Sequence, residues 1–486
     1  MVRTKNLKIM SSESLRGKFV IVGGGIAGVS CAESLAFLAP EARVILITAS
    51  SLIKAVTNVV PLGTTVMKFD VKEENNKVLS DKHPSIKVIH DTVIKVNTSD
   101  KTLETSNGEI IGYEKLCVCT GAKPRLICED NEHVIGIRDM ESVETLSQKI
   151  RAARRILVVG NGGIATEVVH EIEGLEVIWV IKDKHISATF VDPGAAEFFQ
   201  DKLLKNVNET TTEKTREMKR IKYTIVDGNT SKNGPALGPD WHSKFMIKGN
   251  STLPTKVKVE YETEVAEILK SSELVDQSSN ENWPVWAKLT NGKTIGCDFI
   301  ISATGVSPNS NLPGLENLVK SEDGGYSVDW EMKTSENEIY AAGDVCTVNW
   351  QLAKHWFQMR LWTQAHQMGR YAAKSMYSSS ANETFHQDFC FELFTHVTNF
   401  FGYKVVLLGL FNGQKLAGNY EILLRMTRGL EYIKLVMKNG KMEGAVLIGE
   451  TDLEEMCENL ILNQLDLSIY GKHLLDPNID IEDYFD

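Results

Sequence analysis

Long apolar runs that lead directly into glycine-rich turns are the most regular pattern along this chain. The first is KFVIVGGGIAGVSCAESLA at residues 18–36, and the second is RRILVVGNGGIATEVVHEIEG at residues 154–174. Shorter runs of the same kind occur in CDFIISATGVSPN at 297–309 and in IYAAGDV at 339–345. Unbroken Val, Ile and Leu runs followed by helix-forming segments are typical of parallel strands buried on both faces. The pattern predicts an α/β fold, and the wide separation of the two long segments predicts two nucleotide-binding domains rather than a short repeat.

The first glycine turn follows an apolar strand at 19–22 and precedes a helix rich in small residues. It has the spacing G-x-G-x-x-G, in which the first glycine permits a tight turn and the second lets backbone N–H groups approach a pyrophosphate. The third glycine lets the helix pack closely on the strand, and the anion lies at the positive N-terminus of that helix. This context predicts a dinucleotide site formed by Gly23, Gly25, Ile26, Ala27 and Gly28.

A second glycine turn of the same kind follows the second apolar run. Ala165 occupies the third small position there, and Glu167 lies just inside the following helix. The same physical reasoning therefore predicts a second dinucleotide site. Its predicted residues are Gly160, Gly162, Gly163, Ile164 and Glu167.

The two predicted sites differ after their second strand, where an acidic residue usually binds the ribose hydroxyls. In the first site the strand VILIT ends at Thr48 and no acidic residue follows, so backbone or hydroxyl groups must bind the ribose instead. In the second site VIWVI is followed by Lys182, Asp183 and Lys184. Asp183 favours an unphosphorylated ribose, whereas the two lysines suit a 2′-phosphate, so NADH and NADPH both stay open.

Composition and charge exclude several classes of function for this 486-residue chain. Its formal net charge of −11 disfavours sequence-independent binding to nucleic acid or to an anionic membrane surface. No apolar run approaches the ~20 residues that a membrane-spanning helix needs. The eight cysteines form no CxxC pair and no Cys/His cluster, so neither a disulfide scaffold nor a metal site is expected.

The N-terminus and one internal segment lack a regular pattern. Residues 1–16 are basic and hydroxyl-rich without an apolar core, which predicts a flexible N-terminus rather than a secretory signal and leaves organelle targeting as an alternative. The default expectation is a reducing intracellular location, in the cytoplasm and nucleus. Residues 206–255 are polar and turn-rich with no sustained period, which predicts a surface insertion. The ALGPDW island at 236–241 within it is either a loop anchor or a partner-docking element.

The C-terminal part of the chain has a different pattern of apolar and polar residues. From residue 385 onward, strand-like runs alternate with turn signals such as Asn439-Gly440, which predicts antiparallel hairpins. A predicted helix at 451–464 follows, and the chain ends in the acidic sequence DPNIDIEDYFD. Residues 385–486 are therefore predicted to form a small α+β domain with an acidic tail.

Together these motifs resemble the FAD-dependent pyridine nucleotide–disulfide oxidoreductases over roughly residues 18–377. The resemblance rests on the two dinucleotide turns, on the strand-end turns Thr120-Gly121-Ala122 and Ala303-Thr304-Gly305, and on Ala342-Gly343-Asp344. It implies two Rossmann-like domains, with FAD on the first glycine turn and NADH or NADPH on the second. It adds to the FAD site Thr120, Gly121 and Asp344, and to the NAD(P) site Asp183 and Gly305.

The resemblance also implies specific features near the flavin. Asp344 would accept a hydrogen bond from the ribityl chain of FAD. Lys54 lies where relatives place a basic residue near the flavin ring, and a solvated loop lysine is the alternative. A helix at 359–369 would point its N-terminus at the flavin and stabilise its anionic reduced form. Trp356 and Trp362 either shield the ring or pack in the core.

Domain boundaries follow from the same resemblance. The FAD domain is expected to be discontinuous, at 17–145 and 306–384, and the NAD(P) domain is expected at 146–305 with the insertion inside it. The part at 385–486 resembles the closing domain of the nitrite-reductase and apoptosis-inducing-factor relatives. That domain forms the dimer interface in many members, so the resemblance is compatible with a homodimer and leaves the oligomeric state open.

One feature of the disulfide-reducing members is missing. They carry one or two cysteines after the first βαβ unit, but SSLIKAVTNVVPLG at 50–63 contains none. The His–Glu dyad of their closing domain has His396 and Glu392 as its only nearby candidates, and the spacing does not fit. We therefore expect the class that lacks redox-active cysteines. Cys117 and Cys119 point the same way along a strand, and they are either a reducible pair or small buried hydrophobes.

Three functional hypotheses follow. The first is an FAD-dependent NAD(P)H oxidoreductase without a catalytic disulfide, which passes electrons to an external acceptor such as O2, a quinone or a protein. The second is a redox-gated module whose reduced state a partner protein recognises; the resemblance implies a role in protecting the tRNA ligase complex from oxidative inactivation. The third is a scaffold that has kept the fold and binds no flavin.

Overall fold

The computed structural model describes residues 15–203, 218–225, 255–270 and 282–476. Three predicted segments lie wholly or largely outside these residues: the flexible N-terminus at 1–16, the ALGPDW island at 236–241 and the acidic tail after Asp476. The described residues form three main sheets and four smaller sheets of two or three strands.

The first sheet joins central parallel strands to an antiparallel edge. Its members are β1 (Leu15–Val22), β2 (Val44–Thr48), β5 (Ile86–His90), β6 (Val93–Asn97), β7 (Thr102–Thr105), β8 (Ile110–Val118) and β21 (Ile339–Ala341). The strand order is β5-β2-β1-β8-β7-β6, and β21 pairs with β8. Because β1 lies between two parallel partners, the first glycine turn follows a central buried strand. The helices of this part are α1 (Ile26–Leu38), α2 (Asn76–Lys82) and α6 (Trp362–Ala381).

The second sheet is parallel throughout, as its apolar runs predict. Its members are β10 (Val134–Ile135), β11 (Arg155–Val159), β12 (Glu176–Val180), β14 (Lys256–Glu260) and β18 (Phe299–Ser302), in the order β10-β18-β11-β12-β14. Its helices are α3 (Met140–Ala152), α4 (Gly163–Glu171) and α5 (Pro193–Leu203). The α/β prediction with two Rossmann-like units is thus confirmed. Strand β10 belongs to this sheet although it precedes the domain boundary predicted at residue 145.

The third sheet is antiparallel and contains the C-terminal hairpins. Its members are β13 (Met218–Ile225), β23 (Thr395–Phe400), β24 (Tyr403–Gly409), β25 (Tyr420–Thr427), β26 (Glu431–Lys438) and β27 (Lys441–Ile448). The order is β13-β25-β26-β27-β24-β23, and α7 (Glu454–Asn463) follows the last strand. Asn439 and Gly440 both have positive φ, 51° and 74°, at the turn between β26 and β27. This is the hairpin turn that the Asn-Gly pair predicts.

Strand β13 shows that the predicted insertion contains an ordered element. It runs antiparallel to β25 along the whole strand, from Met218 opposite Thr427 to Ile225 opposite Tyr420. The segment predicted as a surface insertion therefore contains, at residues 218–225, a strand that the sequence analysis did not predict. The alternation of Ile221 with polar neighbours is the signal for a strand. It is too short to stand out within a long polar segment.

Four smaller sheets contain the remaining described strands. They comprise the hairpin β3 (Leu52–Pro61) with β4 (Met67–Asn75), the pair β9 (Ala122–Pro124) with β19 (Val306–Pro308), the pair β20 (Tyr326–Val328) with β22 (Cys346–Val348), and the antiparallel set β15 (Val265–Lys270), β16 (Val285–Leu289) and β17 (Thr294–Cys297). Short 3-10 helices occur at Phe389–Phe391 and Gly471–Leu475. Among the described helices, none has both the length and the apolar character needed to cross a bilayer.

The second and third sheets share one hydrophobic core and a buried ion pair. Lys434 Nζ on β26 lies 2.5 Å from Oδ2 of Asp192, which directly precedes α5, and both side chains are almost fully buried. The Tyr432 hydroxyl donates a hydrogen bond to Oδ1 of Asp192 at 2.7 Å. A charge pair buried to this extent requires close and fixed geometry. This pair therefore joins the segment before α5 to strand β26 of the third sheet.

Candidate functional site

A cleft of about 550 Å³ lies at the carboxyl ends of β1, β2 and β8. Ligands of open parallel α/β sheets bind at this edge. The cleft brings together eight of the nine residues predicted for FAD: Gly23, Gly25, Ile26, Ala27, Lys54, Thr120, Gly121 and Asp344. The ninth, Gly28, does not line the cleft but lies beneath the turn in α1.

The glycines of the first turn are required by backbone geometry. Gly23 has φ = 121°, and a Cβ at this position would overlap the carbonyl oxygen of Cys119. A Cβ on Gly28 would overlap the carbonyl oxygen of Gly23, whereas a Cβ on Gly25 would meet no atom within 4 Å. Gly25 is the N-cap of α1, and no side chain caps the helix there. The open space in front of uncapped helix N–H groups fits a pyrophosphate.

Arg138 is a charged residue of this cleft that the sequence analysis missed. Its Nη2 lies 2.8 Å from Oδ2 of Asp344, and the two side chains are 17% and 9% exposed. Its other terminal nitrogen, Nη1, is buried and donates to no acceptor in the described part of the chain. A buried guanidinium donor beside the cleft suits a phosphate or a ribityl oxygen. The only sequence signal is its place just before the capping box that Asp139 and Ser142 form at the start of α3.

Lys54 lies in the cleft and not in a solvated loop. It is half-buried on β3, opposite Glu73 of β4, and its backbone N–H donates to the carbonyl of Gly24 at 3.0 Å. Burial, and then the charge of Arg138, lowers the pKa of Lys54. Two cations near each other in a partly buried cleft favour an anionic ligand.

The ribose end of the cleft has no acidic residue on β2, as the sequence indicates. Thr48 is buried, and its hydroxyl accepts a hydrogen bond from the backbone of Ser50 at 3.3 Å. A carboxylate comes instead from the neighbouring strand, because Asp91 directly follows β5 and lines the cleft. Hydrogen bonds from the Ser106 hydroxyl and from the backbone of Thr92 hold the pKa of Asp91 well below its usual range. Sequence reasoning examined only the end of β2 and so missed Asp91.

A second cleft, of about 480 Å³, lies at the corresponding edge of the second sheet. It brings together six of the seven residues predicted for NAD(P): Gly160, Gly162, Gly163, Ile164, Asp183 and Gly305. Gly160 has φ = 127°, and a Cβ there would overlap the carbonyl oxygen of Ala303, so this turn repeats the geometry of the first. The seventh residue, Glu167, is buried in α4 and does not line the cleft.

Asn161 organises the second cleft, a role that the sequence analysis did not assign. Its side chain donates to Oδ2 of Asp183 at 2.8 Å and accepts from the backbone of Ser187 at 2.6 Å. Lys182 and Asp183 both line the cleft. The carboxylate and the lysine are therefore both available to a ribose or a 2′-phosphate.

The strands β9 and β19 join the two clefts. Ala122 lines the first cleft and Pro124 the second, so the clefts approach within about 7 Å along one strand. Two hydrogen bonds between Thr120 and Asn309 hold these strands together. The Thr120 hydroxyl donates to the Asn309 carbonyl at 2.8 Å, and the Asn309 side-chain amide donates to the Thr120 carbonyl at 2.9 Å. Two dinucleotides bound in these clefts would meet at this point.

The thiols of Cys117 and Cys119, near the cleft, are buried. The sulfur atoms of Cys117 and Cys119 lie 3.5 Å apart without a disulfide, and Cys119 lines the cleft. The hydrogen bond with Cys117, together with burial, raises the pKa of Cys119 well above its usual range. The thiolate is the reactive form of cysteine, so these positions fit small buried hydrophobes better than a redox pair.

His396 and Glu392 do not form a dyad. Glu392 is exposed, whereas His396 is buried with Nδ1 3.0 Å from the Thr363 hydroxyl. Burial lowers the pKa of His396 to about 3, so it stays neutral. A buried His–Glu pair does exist, with Nε2 of His355 2.7 Å from Oε2 of Glu443, but neither residue lines either cleft.

The helix predicted at 359–369 begins three residues later than expected. Leu361 is the N-cap of α6, and Met359 lies before the helix with its N–H bonded to the Gln364 side chain at 2.7 Å. Trp362 in the first turn of α6 lines the first cleft, as the ring-shielding role requires. Trp356 packs in the core instead, with its ring 5.2 Å from that of Phe391.

Comparison with known proteins gives a consistent result. Residues 17–234 and 251–369 match the family described as pyridine nucleotide-disulphide oxidoreductase. The chain is 50% identical to the human pyridine nucleotide-disulfide oxidoreductase domain-containing protein 1, over 97% of this chain and 98% of that one. It is 48% identical to the protein of the same name from Drosophila melanogaster, over 97% of this chain and 100% of that one.

Solved structures of low sequence identity share the fold. The covalent putidaredoxin reductase–putidaredoxin complex gives a TM-score of 0.66 at 16% identity, covering 96% of this chain and 98% of that one. A NAD-dependent persulfide reductase from A. fulgidus gives 0.64 at 17% identity, covering 96% of this chain and 79% of that one. Fold, glycine turns and sequence agree, and the chain belongs to the pyridine nucleotide-disulphide oxidoreductase family, a family of FAD- and NAD(P)H-dependent oxidoreductases.

Proposed function

We propose that this protein is an FAD-dependent NAD(P)H oxidoreductase that works without a catalytic disulfide and passes its electrons to an external acceptor such as O2. The observation that carries the proposal is the meeting of the two clefts at Ala122 and Pro124. When bound there, FAD supplies the two-electron chemistry, accepting a hydride from the nicotinamide and releasing electrons to the acceptor. The protein supplies binding, orientation and electrostatics.

Different residues of the first cleft would bind different parts of FAD. The uncapped N-terminus of α1 would bind the pyrophosphate, and Asp344 would accept a hydrogen bond from the ribityl chain. Arg138 fixes the carboxylate of Asp344 and retains one free donor, Nη1, for an oxygen of the cofactor. Lys54 adds positive charge at the same cleft, which favours anionic forms of the ligand.

The residues of the second cleft would hold the nicotinamide dinucleotide. The turn that begins at Gly160 would bind its pyrophosphate, while Asp183, oriented by Asn161, would accept from ribose hydroxyls. Lys182 beside it would tolerate a 2′-phosphate, so the proposal includes both NADH and NADPH.

A direct route to an external acceptor is supported by the lack of a suitable thiol. The hairpin at 52–75 contains no cysteine, and the pKa of Cys119 is raised well above its usual range. Catalysis would then rest on orientation of the two dinucleotides rather than on an acid–base residue of the protein.

A second candidate function is a redox-gated binding module that turns over slowly. It would protect the tRNA ligase complex from oxidative inactivation, in the cytoplasm and nucleus, and its closing domain would form a homodimer. The near-50% identity with the human and fly relatives over almost the whole chain favours a shared role with them. The lack of a thiol acceptor favours a long-lived reduced state, which a partner could recognise.

An anaerobic titration with NADH and then NADPH tests the first proposal. We expect the bound flavin to lose its visible absorbance with at least one nicotinamide, and to regain it when air is admitted. Full retention of the flavin absorbance with both nicotinamides would refute the proposed oxidoreductase activity. Capture of a partner with and without NAD(P)H tests the second, and equal recovery in both conditions would refute redox gating.

A further inference from the structure

A third cavity, of about 290 Å³, lies beside the first cleft but separate from it. The β3–β4 hairpin, α6 and the segment at 388–395 enclose it. It shares no lining residue with either dinucleotide cleft. Trp362 and Ala365 of α6 face the first cleft, whereas Thr363 and His366 face this cavity. It is therefore a distinct compartment on an adjacent face of the same helix.

A polar stripe of α6 forms one wall of the cavity. Thr363, His366, Arg370 and Lys374 recur at intervals of three or four residues, so they lie on one face of the helix. Another face of α6 packs tightly on α1, where a Cβ on Gly369 would overlap the carbonyl oxygen of Ala27. Three of these four side chains have a protein partner: Thr363 is hydrogen-bonded to His396, His366 to Ser30 and Lys374 to Asp388. The fourth, Arg370, is the one that still needs water or a ligand as its partner.

The stripe carries one uncompensated positive charge. Lys374 is paired with Asp388 across the cavity. His366 is neutral, because burial and then the neighbouring Arg370 lower its pKa to about 4, and its Nδ1 is bonded to the Ser30 hydroxyl at 2.8 Å. Arg370 forms no ion pair or hydrogen bond with any residue that the structure describes, and it is accessible from solvent. The cavity therefore attracts a single negative charge.

Two phenylalanine rings form part of the remaining wall, beside Thr64, Met67 and Cys390. Phe69 on β4 is buried, and its ring lies 5.1 Å from that of His366. Phe389 also lines the cavity and is 53% exposed, so its ring is accessible to a ligand. Flat rings of this kind bind a planar apolar group by stacking or edge contact.

From these observations we propose that the cavity is a binding site for a small planar organic monoanion, of the class of the aromatic carboxylates. The guanidinium of Arg370 binds the carboxylate in a bidentate manner, and Phe69 and Phe389 contact the planar body. The volume is at the lower limit for ligand pockets, which restricts the ligand to about the size of one or two rings. The proposal does not depend on flavin reduction.

Titration of the FAD-loaded protein with benzoate, by calorimetry or ligand-observed NMR, tests the proposal. We expect benzoate to bind, benzamide to bind at least about tenfold more weakly because it lacks the charge, and inorganic phosphate to bind more weakly than benzoate. Arg370→Gln should weaken benzoate binding by about tenfold or more. Arg151→Gln, which changes an exposed arginine at the end of α3, is the matched control and should bind benzoate normally.

The results that would contradict the proposal are the following. Absence of benzoate binding at millimolar concentration would refute the site, and unchanged binding by Arg370→Gln would refute the role of its charge. Phosphate binding as tight as benzoate would show a simple anion site. Phe389→Ala should weaken benzoate but not phosphate, and an equal effect on both would refute the aromatic wall. Flavin content and circular dichroism confirm that each variant is folded, so a negative result is interpretable.

Discussion

Replacement of Arg138 by glutamine tests how the first cleft holds FAD. The guanidinium serves two separate purposes in the structure: Nη2 pairs with Asp344 at 2.8 Å, and Nη1 is a buried donor without a partner among the described residues. A charge-assisted hydrogen bond contributes about 1.5–3 kcal/mol. Loss of the Nη1 donor should therefore weaken FAD binding by about 10- to 100-fold, since 1.4 kcal/mol corresponds to a factor of ten.

The same substitution should also destabilise the protein without FAD. It leaves the carboxylate of Asp344, 9% exposed, without its counter-charge. Because the pair is partly solvated, we expect a loss of about 2 kcal/mol, below the 3–5 kcal/mol typical of fully buried pairs. The stabilisation that added FAD gives in a thermal melt should shrink in proportion to the lost affinity.

Fluorescence titration of the apoprotein with FAD measures the affinity, and Arg155→Gln is the matched control. Arg155 also pairs with a carboxylate, Nε to Oε2 of Glu176 at 2.6 Å, and is exposed to a similar degree, but it lies in the second sheet. The control should bind FAD normally. Wild-type affinity in Arg138→Gln would refute the assigned role of Nη1, and equal weakening in both variants would show general destabilisation instead.

Three other expectations concern packing, the domain interface and the thiols. Gly28→Ala should abolish FAD binding or folding, because its Cβ overlaps a carbonyl oxygen, whereas Gly25→Ala should fold normally as judged by circular dichroism. Lys434→Met should lower the free energy of unfolding in urea by about 3–5 kcal/mol at neutral pH, because it leaves Asp192 charged and buried. Burial opposes ionisation of Asp192, but the charge of Lys434 lowers the pKa of Asp192 in the folded protein. The pair therefore stabilises the fold at pH values above the pKa of an unfolded aspartate, and this contribution is lost as the pH falls through the folded pKa. The difference in unfolding free energy between wild type and variant should therefore narrow in acid. Cys119→Ser should leave NAD(P)H turnover within about twofold of wild type if the thiol is only a packing group, and loss of turnover with normal flavin content would contradict this.

The sequence could predict the glycine turns because their requirements are local. Gly23 and Gly160 both have positive φ, and both are followed by a helix whose N-terminus faces a cleft. Apolar run, turn and helix lie within about twenty residues, so one window of the sequence contains the whole motif. The predicted hairpin at Asn439-Gly440 is correct for the same reason.

The residues that sequence reasoning missed depend on contacts between distant segments. Arg138 lines the first cleft and pairs there with Asp344, which lies 206 positions later in the chain. Asp91 reaches the ribose end of the cleft because β5 lies beside β2, a fact of strand order and not of local pattern. Strand β13 is ordered by β25, nearly two hundred residues away. Such pairings have no signature within either segment alone.

The β3–β4 hairpin lies where the disulfide-reducing members carry their cysteine, and contacts at the cleft and at its tip hold it in place. In the disulfide-reducing members this stretch brings a thiol to the flavin, whereas here it pairs Lys54 with Glu73 at the cleft and reaches the C-terminal domain at its tip. There the buried carboxylate of Glu458 on α7 accepts hydrogen bonds from the backbone of Thr64 and Thr65, each at 2.6 Å. A hairpin held at both ends cannot easily swing a reactive group between flavin and solvent. This restraint favours an acceptor that comes to the flavin by diffusion over one that the protein itself carries.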